Sequence, residues 1–169
     1  MSGFELGTLI VSVLIALTVH EVAHAYVSLR LGDDTAQQQG RVSFNPLHHI
    51  DPVATIILPV MTLLILHAPI LAARPVPFNP SRVRFGELGS AMIAGAGPAS
   101  NLLMALLAAL LLHSAGGGWL GQGLYIFLSL NVALFIFNLV PIPPLDGSRL
   151  LYAIAPESVQ EVMAHIEPY

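Results

Sequence analysis

The stretch that decides the fold is LGTLIVSVLIALTVHEVAHAYVSLRL, Leu6 to Leu31. Its first half is almost wholly apolar, and its second half carries His20, Glu21 and His24. At about 1.5 Å per residue, one helix of this length crosses a hydrocarbon core roughly 30 Å thick. His20 then falls roughly 18 Å along the helix from Thr8, inside the apolar slab or near its far boundary. Ionisable side chains at that depth are expensive, and each is a functional hypothesis by default.

The rest of the chain agrees with a membrane setting. Of its 169 residues 55% are hydrophobic and 9% charged, and the mean hydropathy is +0.76. A soluble domain carries about 25% charged residues. The formal net charge is −4 and the six basic residues are scattered arginines, so no nucleic-acid partner is indicated. With no cysteine, disulfides and thiolate metal ligands are excluded. Glu5 precedes the first apolar run and no Lys or Arg does, so a permanent helix is expected there rather than a cleaved leader.

Three further apolar segments follow, at Val53 to Ala73, Leu88 to His113 and about Leu120 to Val140. The first opens with Asp51-Pro52, a helix-start signal, and is interrupted by Pro59 and Pro69. Leu88 to His113 begins rich in Gly, Ala and Ser and continues as nearly pure Leu and Ala. The last breaks at Pro141 to Pro144, and a short amphipathic stretch from Ser148 to Ala155 precedes a polar tail. If Val53 to Ala73 dips in and returns, every arginine falls on one side, as the positive-inside rule favours; its length also permits spanning. The expected fold is an all-α polytopic membrane protein: three transmembrane helices, a fourth apolar segment that is re-entrant or spanning, and short extended loop segments. Two of those, Arg41 to Pro46 and Arg74 to Pro80, share the ending Phe-Asn-Pro and read equally as ordered loops or short edge strands.

On a helix, His20 and His24 differ by about 40° in azimuth, so two imidazoles point the same way. That H-E-x-x-H spacing suits one zinc ion, with Glu21 placed as general base. A bland reading stands beside it, since histidines at helix ends often satisfy carbonyls or face headgroups. A catalytic zinc usually has three protein ligands and an open position. His48, His49, His67, His113 and His165 are available, but Asp146, just past the proline break, is the better candidate. Irregular backbone at membrane depth is tolerated where it lines a wet cavity. Spacing alone leaves a second reading open, in which Asp146 caps the stretch from Ser148.

Taken together, these pieces resemble the site-2 protease family of intramembrane zinc metalloproteases. His20-Glu-Val-Ala-His24, Gly97-Pro-Ala-Ser-Asn101, and Asn138-Leu-Val-Pro141 with Leu145-Asp146-Gly147 are similar to its motifs, in its order. Asn45 to Pro52 and Arg74 to Pro77 are similar to linker motifs of its short bacterial and archaeal-type members. The resemblance implies that His20, His24 and Asp146 bind one catalytic zinc and that Glu21 is the general base. It implies that Asn138 lies near the metal and stabilises an oxyanion, and that Asn101 is a support residue. It further implies a metalloprotease core over residues 1–155, a polar tail over 156–169 leading to a further transmembrane segment, and a transmembrane protein as substrate in the lipid bilayer of the cell membrane. The proline break at Pro141 to Pro144 and the polar loops on the arginine side place the expected active site nearer the cytoplasmic side. The alternative is a zinc-binding membrane protein without protease activity, a transporter or pseudoenzyme.

Overall fold

The computed structural model describes residues 1–49 and 76–166. Helix α1 spans Gly3–Arg30. It begins earlier than the apolar run because Ser2 and Glu5 form a capping box: Glu5 N donates to Ser2 Oγ and Ser2 N donates to Glu5 Oε2. It ends before Gly32, whose φ of 104° suits a residue without Cβ. A short helix α2, Thr35–Gln38, follows. Helix α3, Gly86–Ala115, and helix α4, Gly118–Asn138, form an antiparallel pair joined through Gly116 and Gly117. Helix α5, Asp146–Ile154, lies beyond the proline break and packs on α3. The polar tail is helical over Glu157–Ile166, α6, with Met163 buried.

α1, α3 and α4 are each long and apolar enough to cross a membrane. Their burial pattern inverts that of a soluble bundle. α1 buries Ser12, Ala16, His20, His24 and Ser28, one every four residues, and exposes Ile10, Val11, Leu14 and Ile15. α3 buries Ser90, Ala94, Gly97, Asn101, Ala105 and Ala108, a stripe of small residues at three- and four-residue steps. Leu102, Leu103, Leu106, Leu107, Leu110 and Leu111 face outward. Lipid tails are as apolar as leucine, so large side chains gain nothing by turning inward, and small residues let the backbones approach. The polar groups go inside, where they can find partners.

The ends of the bundle are chemically distinct. At one, Phe4 meets Trp119, with ring centroids 5.5 Å apart, and Gln122 Nε2 donates to Glu5 Oε1. At the other, Arg82 pairs with Asp34 at 3.1 Å, Arg149 lies over the Phe78 ring, and Arg84 N donates to Leu31 O. The re-entrant reading of Val53 to Ala73, and Arg74 with it, lies outside the described residues; Arg30, Arg41, Arg82, Arg84 and Arg149 gather at this second end.

No strand forms among the described residues. The Phe-Asn-Pro echo is instead a repeated capped turn. Pro46–His48 and Pro80–Arg82 are single 3-10 turns. In each the preceding asparagine, Asn45 or Asn79, accepts a backbone N–H two residues on, from Leu47 or Ser81. Asparagine as cap and proline at the first position is a helix-start pairing, which makes these segments loops.

Asp33 ties this end together. It is fully buried and accepts from Ser28 Oγ at 3.1 Å, Thr35 N at 3.1 Å and Asn79 N at 2.7 Å. Burial pushes its carboxyl up, but the hydrogen bonds from Thr35, Asn79 and Ser28 outweigh this and hold it below the usual carboxylate range. A depressed carboxylate contributes stability that is present above the unfolded pKa, about 3.9, and is lost as pH falls through the folded value. Asp33→Ala should therefore destabilise the protein by about 1.5–3 kcal/mol at pH 7, the scale of a charge-assisted hydrogen bond. The difference from wild type should shrink below about pH 4. Thermal melts across pH check this, and a pH-independent difference would count against it.

Candidate metal centre

Three elements bring the sequence-selected donors together. α1 presents His20 and His24 from adjacent turns, both buried. The prolines at 141, 143 and 144 end α4 and turn the chain back, so that Asp146 becomes the first residue of α5. This turn is tight: a Cβ on Gly147 would lie 2.5 Å from the Val140 carbonyl oxygen. The N-cap position of this helix is held by Leu145, not by Asp146. Asp146 Oδ2 lies 3.2 Å from His20 Nε2 and 3.3 Å from His24 Nε2, and the two Nε2 atoms are 3.0 Å apart. Among the described residues this is the group of three whose donor atoms could share one ion.

The protonation of the rings follows from their other nitrogens. His24 Nδ1 lies 2.7 Å from the Ile93 carbonyl oxygen. A carbonyl only accepts, so Nδ1 carries a hydrogen, and in the neutral ring Nε2 keeps a lone pair. His20 Nδ1 lies 2.6 Å from Asn101 Oδ1, an acceptor that leaves the second Nε2 in the same state. Two lone pairs and a carboxylate oxygen thus converge with no hydrogen between them. With both rings neutral, such a cluster suits a metal cation. A tetrahedral zinc with bonds of about 2.0–2.1 Å sets its donors roughly 3.3 Å apart, close to the separations here.

Glu21 is buried, and its Oε2 has no hydrogen-bond partner. Helix α3 covers the site with Gly97. A Cβ there would lie 2.5 Å from His20 Cε1 and 2.6 Å from His20 Nε2, and nearer still to His24 Nε2. The small-residue stripe thus lies directly against the two imidazoles at one position.

The remaining candidates are placed elsewhere. His48 Nδ1 faces Gly40 O, His49 Nε2 faces Ser43 O, and His165 Nδ1 faces Glu161 O. His113 is in the last turn of α3, and His67 lies outside the described residues. Asn138 closes α4, where its Nδ2 donates to Leu134 O at 3.0 Å; the second N–H of that amide remains available. Sequence reasoning missed the Ile93 carbonyl, which no residue type signals. It also missed Asn131, an amide in the middle of the apolar run of α4.

Comparison with known proteins gives these residues a family. Residues 114–166 match the model of Peptidase family M50. The chain is 39% identical over 171 residues to "Putative zinc metalloprotease YwhC" of Bacillus subtilis, covering 95% of this chain and 75% of that protein. It is 30% identical over 145 residues to "Putative zinc metalloprotease Rip2" of Mycolicibacterium smegmatis, covering 79% of this chain and 52% of that one. A Mycobacterium tuberculosis protein of the same name is 28% identical over 144 residues, covering 82% of this chain and 53% of its own. The chain thus spans about half the length of the two Rip2 proteins. No solved structure matches it. On its likeness to the first of these relatives across nearly its whole length, the chain belongs to peptidase family M50, the site-2 protease family that its motifs resemble.

Proposed function

We propose that this protein is an intramembrane zinc metalloendopeptidase that hydrolyses peptide bonds within or near the transmembrane segments of other proteins. The observation that carries the reading is the convergence of His20 Nε2, His24 Nε2 and Asp146 Oδ2 beside a buried, unpartnered Glu21 carboxylate oxygen. It does so within a set of helices able to span a bilayer. His20, His24 and Asp146 would hold the zinc. When bound, zinc supplies Lewis acidity toward a peptide carbonyl and toward water.

The remaining work belongs to the chain. Glu21 takes a proton from the attacking water and returns it to the leaving nitrogen. Its unpartnered Oε2 leaves it free to accept. Asn138 offers its second amide N–H to the oxyanion, while the first stays anchored on Leu134. Water enters from the end where the arginines gather, which is the cytoplasmic side if they obey the positive-inside rule. Residues 1–155 form the catalytic core, and 156–169 the tail beyond it.

The direct test is metal content together with cleavage of a transmembrane peptide by the purified full chain in bicelles. About one zinc per chain is expected, with cleavage lost on chelation and restored by zinc. A protein that binds zinc and cleaves no membrane-spanning peptide would be the transporter or pseudoenzyme of the alternative reading. One that binds no zinc would defeat both.

A further inference from the structure

We propose that Asn131 is a positioning residue for the metal site: it sets the tautomer of His20 from two helices away, through a directional chain of hydrogen bonds. The proposal rests on the zinc reading of His20 and deepens it. Asn131 and Asn101 are both fully buried. Asn131 Nδ2 donates to the Phe127 carbonyl oxygen at 2.8 Å, Asn101 Nδ2 donates to Asn131 Oδ1 at 3.0 Å, and Asn101 Oδ1 meets His20 Nδ1 at 2.6 Å.

Each amide has a donor end and an acceptor end, so the chain could in principle run either way. Its far terminus decides. The Phe127 carbonyl accepts only, so Asn131 must turn its NH2 toward it and its oxygen toward Asn101. Asn101 must then turn its NH2 toward Asn131 and its oxygen toward His20. His20 must donate from Nδ1, which leaves the Nε2 lone pair for the ion. Reversing the chain would set the Asn131 and Phe127 oxygens against each other. The direction is thus imposed from α4, carried through α3 and read out on α1. Outer groups of this kind orient metal-bound histidines in general, and their loss typically costs 10–100-fold in metal affinity or activity.

Removing Asn131 frees Asn101 to flip and offer either end to His20. A carboxylate at 101 cannot present a donor, so it would hold His20 in the same tautomer without help from Asn131. This makes a double-mutant cycle decisive. Zinc affinity is measured by chelator competition on the full chain for wild type, Asn131→Leu, Asn101→Asp and the double variant. Asn131→Leu should weaken zinc binding about tenfold in the wild-type background and less than about twofold when Asp occupies position 101. Equal losses in the two backgrounds would mean that Asn131 only packs, and no loss in the wild-type background would likewise overturn the proposal. Should the Leu variants not fold, wild type loaded with cadmium-113 and labelled with nitrogen-15 histidine answers the same question. Coupling of the metal to Nε2 of His20 is expected, and coupling to Nδ1 refutes the chain's direction. A wild type that binds neither metal defeats the zinc reading itself.

Discussion

Glu21→Gln should leave zinc bound and lower hydrolysis of a membrane-spanning peptide by about 10³-fold, within the 10²–10⁴ range of a lost general acid–base. Glutamine has the same shape and cannot take a proton. Glu21 is not one of the three clustered donors, so its replacement does not open the metal site. The two readouts separate the possible roles. Zinc lost together with cleavage would make Glu21 a ligand. Zinc kept with cleavage unchanged would remove it from the reaction. Only retained metal with lost turnover identifies the base, and metal content on the protein used for kinetics provides the comparison.

Gly97→Ala should lower zinc affinity by about 100-fold, the upper end of the effect of disturbing groups around a metal. The added methyl would occupy space within 2.6 Å of His20 Nε2. It cannot withdraw, because it is fixed to the backbone of a buried helix face. The neighbouring Gly95 gives the control. Its Cβ would meet Leu150 Cδ2 at 3.5 Å, an ordinary contact, so Gly95→Ala should bind zinc and turn over within about twofold of wild type. Equal effects at the two positions would mean that helix separation is what matters. A position-specific effect means that α3 is shaped to the donor atoms, and titration of the two variants with zinc distinguishes these outcomes.

Much of this molecule is legible from residue type and spacing. The three spans are present as apolar runs because a bilayer demands length and apolarity along the chain, and both are local properties. The two histidines share a face because helical periodicity requires it. The capped turns at Asn45-Pro46 and Asn79-Pro80 are local as well, although proline and asparagine alone allowed an extended reading. The ends of helices were less legible: Ser2 and Glu5 draw α1 outward by a side-chain exchange that hydropathy does not register.

What the sequence determined by itself was the membrane setting and the pair His20 and His24, since both follow from neighbours along one helix. Tertiary structure decided the rest of the centre. Asp146 could have capped its own helix; it faces the histidines because the proline break folds α5 back onto α3. Gly97 could have been any small packing residue, and only its register against α1 sets it over the imidazoles. Asn131, Asn101 and the Ile93 carbonyl gain meaning only as partners across helices. A hydrogen bond's direction depends on which group lies opposite, and that is a property of the packed bundle.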